Sequence, residues 1–232
     1  MVGPEVYEKF IKHYTEKQWG RKATELPTSI IKRLPIRFMF NNNYFNDRYQ
    51  GIPIGGYNVI IDKLIKTSEV RLDTCYFDNR DYFDRIARKI VFTGKIDEFF
   101  NFKFGDLEYR SLKFETEIYP VENYQGNAVI NFTDRETPFT RVYEHKHFDF
   151  GDQPHTVVTK EYPIISSRKS DPFYPVNDTK NMNNYKKYQQ LAYRQSNVIF
   201  GGRLGTYRYY DMHQVIASAL KTVKNEVETL AT

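Results

Sequence analysis

The chain has 232 residues, 27% charged and 40% apolar, which excludes a disordered polymer and leaves room for one or two packed domains. Its 34 Lys and Arg against 29 Asp and Glu give a net charge of +5, an excess that suits a phosphate-bearing ligand. The lack of any block of like charges argues against nucleic acid, the single Cys75 excludes an intrachain disulfide framework, and no apolar stretch reaches membrane-spanning length, so a cytoplasmic protein without a membrane span is expected.

Residues 4–19 read as a helix: Val6, Phe10, Ile11 and Tyr14 recur at helical spacing, Pro4 suits a first turn and Gly20 a stop. A short second helix is expected from Pro27-Thr28-Ser29 through Ile30, Ile31 and Leu34 to Pro35. The stretch 41–56, rich in Asn, Gly and aromatics, reads as a long loop able to bind. Helical period returns over 56–65, with Tyr57, Ile60, Ile61 and Leu64 on one face. A strand is expected over 69–77, a helical DYFDRIARK after it, and a short strand in KIVFTG at 89–94. From 107 to about 165 the segments alternate, are β-branched and aromatic, and are separated by Gly, Asn, Asp and Pro, the pattern of an antiparallel sheet of four or more strands. Residues 181–195 are expected to be helical, 197–200 a buried type of strand, and 211–230 a long amphipathic helix. The fold class is mixed, α+β, with a helical segment, an antiparallel sheet and pieces of an interrupted α/β layer.

Aromatic residues make up 16% of the chain, including 19 Tyr, which serve equally as a core or as flat faces with a hydroxyl donor. In IFGGRLGTYRYYDM (199–212) an apolar strand runs into Gly201, Gly202 and Gly205 and then into a helix start at Asp211. Such a turn reads as a site for an anionic group, with Arg203 as a charged donor, or as an ordinary strand–turn–helix with structural glycines. Residues 15–38 place Trp19, Arg21, Arg33 and Arg37 on loops and helix ends, where Arg matches diphosphate oxygens or is simply exposed. The EHKHFD run would put His145 and His147 on one face of a strand. The ligands that would complete a metal site are missing, so ordinary cross-strand bonding is expected and no metal. No G-x-S-x-G elbow, P-loop or H-E-x-x-H occurs, and Cys75, within an apolar run, is expected to be buried and inert. The side chains advertise no nucleophile, which points to cofactor chemistry or to a binding module.

Six collinear strings, YTEKQWG, ELPTSIIKRLPIRF, NNNYFNDRYQGIPIGGY, LEYRSLKFE, TRVYEHKHF and FGGRLGTYRYYDM, together resemble bacterial-type UDP-galactopyranose mutases over nearly the whole chain. The resemblance implies interconversion of UDP-galactopyranose and UDP-galactofuranose with reduced FAD, whose N5 attacks the sugar C1 and expels UDP before the ring recloses, so no catalytic residue comes from the protein. It implies a role in galactofuranose supply for cell-surface polysaccharide. By motif, Phe10 and Tyr14 resemble the pair flanking the uracil, and Thr15 and Trp19 continue that site toward the sugar. Arg33, on the segment that is a mobile lid in the family, and Arg141 resemble the diphosphate clamps. Tyr44, Tyr174 and Tyr209 resemble the tyrosines that donate to the phosphates, with Asn131 a polar contact beside them. Gly202, Arg203, Asp211 and Met212 resemble flavin-contacting residues.

The same resemblance divides the chain into part of a helical substrate-binding domain (1–50), part of the α/β FAD-binding domain (51–104), an antiparallel sheet domain (105–168) and a return to the FAD-binding domain (169–232). The family's G-x-G-x-x-G turn, which grips the ADP half of FAD, has no counterpart in this sequence. The chain therefore reads as a C-terminal portion whose partner is a separate N-terminal FAD-binding segment or a second copy of itself. Two other functions stay open: a UDP-binding fragment or split-enzyme half without catalysis, and a basic aromatic nucleic-acid binder, which steep salt dependence would set apart.

Overall fold

A proline at the first helical position costs no hydrogen bond, and from Pro4 the chain enters α1, residues 4–19 of a computed structural model that describes residues 3–27, 30, 39–40, 43 and 45–230. The helix is α-helical over Pro4–Val6 and His13–Trp19 and π-helical over Tyr7–Lys12. It ends as expected at Gly20, whose φ of 65° is left-handed and whose amide donates to the Glu16 carbonyl at 2.8 Å. The wider π turn moves the apolar face. Ile11, Thr15 and Trp19 form the buried stripe, whereas Val6 and Phe10, expected on that face, are exposed. The short helix expected after Pro27 falls mainly outside the described residues.

The chain divides into two units, Met1–Thr74 with Leu112–Pro163, and Cys75–Ser111 with Ile164–Thr232. In the first, the described part of the loop expected over 41–56 is irregular. Then α2 (Asn58–Ile65) forms where the apolar period predicts it. The strand expected over 69–77 does not form. Asp73 takes a left-handed φ of 51°, which breaks an extended run, and Tyr76–Asn79 coils into a 3-10 turn. Cys75, expected to be buried there, is exposed for the same reason.

The sheet expected over 107–165 does form, and it gains a short strand beyond it. Its strands are β2 (Tyr109–Tyr119), β3 (Val129–Asn131), β4 (Arg141–Glu144), β5 (Thr156–Ile165) and β6 (Tyr174–Pro175), in the order β3-β4-β5-β2-β6. β3 and β4 pair antiparallel with Asn131 opposite Arg141, and β4 pairs with β5 so that Arg141 faces Glu161 and Tyr143 faces Thr159. The strand expected through EHKHFD stops at Glu144, because residues 145–148 turn as a 3-10 helix. His145 and His147 therefore do not share a strand face. His145 Nε2 lies 2.7 Å from the Thr159 hydroxyl and His147 Nε2 lies 3.1 Å from Glu144. Among the described residues no group of His, Cys, Asp and Glu is placed to hold a metal.

In the second unit, α3 (Arg80–Ile86), β1 (Ile90–Phe92) and α4 (Ile96–Phe99) precede β2. After β6 come α5 (Thr179–Ala192), β7 (Val198–Phe200), α6 (Gly202–Gly205) and α7 (Met212–Leu230), close to the expected bounds. Asp178 caps α5 by accepting the Asn181 amide at 2.8 Å. β1 and β7 form a two-stranded parallel sheet, in register from Ile90 against Val198 to Phe92 against Phe200. The core is built on tyrosine: Tyr109, Tyr185, Tyr188 and Tyr207 pack with Ile96 and Leu107. Tyr188 donates to the Gly105 carbonyl at 2.7 Å and accepts the Phe104 amide at 2.8 Å, so much of its burial cost is offset. No described helix is long and apolar enough to cross a membrane.

Candidate functional site

Alternation along β4 decides which of its side chains face inward. Val142 and Glu144 are buried, and Arg141 and Tyr143 share the opposite face with Asn131 on β3 and Glu161 and Thr159 on β5. Tyr14 of α1 meets this face. The Arg141 Nε lies 3.1 Å from both the Tyr14 hydroxyl and the Asn131 side-chain oxygen, Oδ1. Arg141 Nη1 donates to the Tyr143 hydroxyl at 3.3 Å and lies 3.6 Å from the Glu161 carboxylate.

Glu161 holds this arrangement in place. It is 1% exposed, so its charge must be matched locally. The match comes from Arg141, from the Tyr143 hydroxyl at 2.6 Å and from the Thr140 hydroxyl at 2.8 Å. Burial works against the Arg141 charge, but the Tyr14 and Glu161 oxygens outweigh it and raise the pKa above the usual arginine value. Burial and the bond to Glu161 push the Tyr143 hydroxyl up to about 12, so it is a neutral donor at ordinary pH. Arg141 keeps about a third of its side-chain surface open, and its Nη2 makes no hydrogen bond among the described residues. A fixed, charged, planar donor with a free edge suits an anionic oxygen. Phe10, one π-to-α step before Tyr14 on α1, is 60% exposed and offers a flat apolar face.

The second unit carries its own cluster. The Arg203 guanidinium lies 4.6 Å from the Tyr209 ring centre and 6.0 Å from that of Tyr174, and its Nη2 donates to the Phe173 carbonyl at 2.7 Å. Tyr174 is buried and meets Tyr209 edge to face with ring centres 5.2 Å apart. Gly202, at a φ of 69°, follows the carboxyl end of β7. Asp211 opens α7 by accepting the Gln214 and Val215 amides at 3.0 and 3.1 Å. Met212, beside it, is exposed.

Of the residues singled out in the sequence, the structure brings Tyr14, Asn131 and Arg141 into hydrogen-bond contact, with Phe10 on the same helix as Tyr14. Thr15 and Trp19 lie on the buried stripe of that helix rather than on its open side. Tyr174, Arg203 and Tyr209 form the second cluster, and Gly202, Asp211 and Met212 stand on the turn and helix start next to it. Arg33 and Tyr44 lie outside the described residues. Two side chains at the heart of the first cluster, Tyr143 and Glu161, escape a reading of the sequence. The signal for Tyr143 is its i+2 spacing from Arg141 on a strand. Glu161 needs the β4–β5 register, which spacing alone does not supply.

The family model described as GLF, UDP-galactopyranose mutase, matches residues 9–209. The chain belongs to the UDP-galactopyranose mutase family. It is 39% identical to a probable UDP-galactopyranose mutase of Klebsiella pneumoniae, over 99% of this chain and 60% of that protein. It is 35% identical to the dTDP-fucopyranose mutase of Escherichia coli, over 98% of this chain and 63% of that protein. The UDP-galactopyranose mutase of Mycoplasma genitalium is 33% identical over 90% of this chain and 56% of its own length. The chain thus spans about 60% of the length of these relatives. Both clusters fall inside the stretch that the mutase family model matches.

Proposed function

We propose that this chain is the nucleotide-sugar-binding portion of a mutase that interconverts UDP-galactopyranose and UDP-galactofuranose. The observation that carries this reading is the Tyr14–Asn131–Arg141 cluster, in which a buried carboxylate fixes a guanidinium and leaves one edge open. In this reading Arg141 holds a phosphate oxygen of UDP, Tyr14 and the exposed Phe10 flank the base, and Asn131 fixes the direction of the Arg141 side chain. Arg33 would be the second phosphate clamp, and Tyr44, Tyr174 and Tyr209 further hydroxyl donors. Thr15 and Trp19 would continue the site toward the sugar from the buried stripe of the same helix.

The turn after β7 fits one side of a flavin. Ligands of open parallel sheets sit beyond the carboxyl ends of the strands, where Gly202 stands. Gly202 is left-handed at φ 69°, a conformation that a residue with a Cβ rarely adopts, so the turn at this point calls for glycine. Arg203, Asp211 and Met212 would complete that side, and the exposed Met212 would pack on a ring. Reduced FAD, when bound, supplies the nucleophile toward the sugar carbon, so none is needed from the protein. What this chain's residues do is bind the diphosphate, orient the sugar and hold the leaving UDP nearby for its return. In this reading the grip on the ADP half of the cofactor would come from an FAD-binding segment other than the residues of this sequence, which carries no G-x-G-x-x-G. On the same reading residues 1–50 bind the substrate, 51–104 and 169–232 belong to the FAD-binding domain, and 105–168 form the sheet domain.

The dTDP-fucopyranose mutase among the relatives favours a second reading, in which the base is thymine and the sugar a deoxyhexose. Calorimetry with UDP and with dTDP on the parent chain and on Arg141→Ala tests both. Loss of one charge-assisted contact worth about 1.5–3 kcal/mol should weaken nucleotide binding roughly 10- to 150-fold. Tighter binding of UDP than of dTDP supports the first reading and the reverse supports the second. Unchanged affinity in Arg141→Ala would remove the cluster from the site.

A further inference from the structure

Lys17 sits one helical step beyond Tyr14 on α1, at i+3, and its ammonium lies between four backbone carbonyls: Phe132 at 2.9 Å, Asp134 at 3.0 Å, Thr137 at 2.9 Å and Phe139 at 2.9 Å. All four belong to the turn joining β3 to β4, whose two ends are Asn131 and Arg141. Four carbonyl dipoles pointing at one another repel, so this turn keeps its shape only around a cation. An ammonium has three hydrogens, and it meets four acceptors by sharing one. The Asp134 carboxylate, which accepts the Thr137 amide at 2.6 Å, braces the turn from within. Burial lowers the Lys17 pKa, while Asp134 and Glu136 work to raise it, as befits a charge drawn partly out of water.

We infer that Lys17 is a positioning residue for nucleotide binding, an internal cation that shapes the β3–β4 turn and thereby sets Arg141 and Asn131 against Tyr14. The inference rests on the nucleotide-binding reading above. The Arg141–Tyr14 hydrogen bond at the binding edge and the Lys17 cage at the turn both join α1 to this hairpin. The second needs no ligand atom. It holds the turn at a fixed height on the helix, so Arg141 approaches Tyr14 at hydrogen-bond distance rather than swinging with a loose hairpin. Because Lys17 touches no substrate in this account, its removal acts only through Arg141 and its neighbours.

The test is a double-mutant cycle read by UDP calorimetry on the full chain, with Lys17→Met, Arg141→Ala and the pair. Lys17→Met keeps the apolar stem and removes the charge. It should weaken UDP binding about tenfold in the parent and less than about twofold in the Arg141→Ala background, because the residue it positions is already gone. Thermal melts confirm that each variant is folded. Rescue gives a second readout: Lys17→Cys in a Cys75→Ser background, alkylated with 2-bromoethylamine, regains a side-chain ammonium and should regain UDP affinity. If Arg141→Ala weakens UDP binding but folded Lys17→Met does not, or if the two losses add in full, the inference fails and the site reading stands. If Arg141→Ala leaves binding unchanged, or the parent chain does not bind UDP, the reading beneath it fails as well.

Discussion

Glu144 shows how one residue ties the antiparallel sheet to a turn. Its side chain is fully buried, and its two oxygens accept the Tyr124 and Gln125 amides at 2.9 and 2.8 Å. Burial alone would raise its pKa; the two amides, helped by Thr156 and His147, outweigh burial and lower it to about 2. The folded-state pKa lies below the unfolded one, so the stabilisation is present in full above the ordinary carboxylate range and is lost as pH falls toward 2. A shift of this size corresponds to roughly 3 kcal/mol. Urea melts between pH 7 and pH 2.5 should show a steep loss of stability in the parent and a shallower one in Glu144→Gln, which is also weaker at neutral pH. Parallel pH profiles for the two proteins would show that the amide bonds to Glu144 carry no such weight. The same accounting explains why the Arg141 cluster is polar yet ordered: each buried oxygen of Glu161 has its donor.

At the scale of elements, the end of α1 is the clearest case of local chemistry setting structure. Gly20 is left-handed at φ 65°, where a Cβ is strained, so Gly20→Ala should cost about 1 kcal/mol and fray the turn that carries Trp19. Chemical denaturation measures it, and an unchanged midpoint would show that the helix end is not fixed by Gly20. This stop, the start at Pro4, α2, α5, α7 and the alternating strands were all legible in the sequence, because caps and apolar period are local signals. The strand at 69–77 was not. Its β-branched and aromatic residues look like a strand, but Asp73 turns left-handed and Val70 and Leu72 stay exposed. EHKHFD likewise alternates as a strand would, yet it closes into a 3-10 turn that follows the buried Glu144 and contains the buried Lys146. The Lys146 ammonium is drawn to the carbonyls of Glu122 and Gln153, a nonlocal preference that no pattern of spacing encodes. The site was legible in part for the same reason. Arg141, Asn131 and Tyr14 stand in recognisable strings, whereas Glu161 and the Lys17 cage depend on register and on a turn far along the chain.

On the scale of the whole molecule, the second unit exposes apolar surface that a helix or strand would ordinarily hide. Parallel strands are usually covered on both faces, yet β1 and β7 form a sheet of two with Val91 64% exposed. On α7, Met212, Ile216, Leu220 and Val223 make an exposed stripe at helical spacing. The purified chain should therefore self-associate with rising concentration in sedimentation velocity, and Leu220→Lys with Val223→Lys should suppress it. A monomer at every concentration would show that these surfaces are tolerated in water. The account's central claim, however, concerns the first unit: nucleotide binds where α1 meets the β3–β4 hairpin. Hydrogen exchange read by mass spectrometry, with and without saturating UDP, tests it most directly. Slowed exchange should appear in peptides covering 10–19 and 129–143 and disappear in Arg141→Ala. Slowing confined to the second unit, or none at a concentration where calorimetry shows binding, would contradict it.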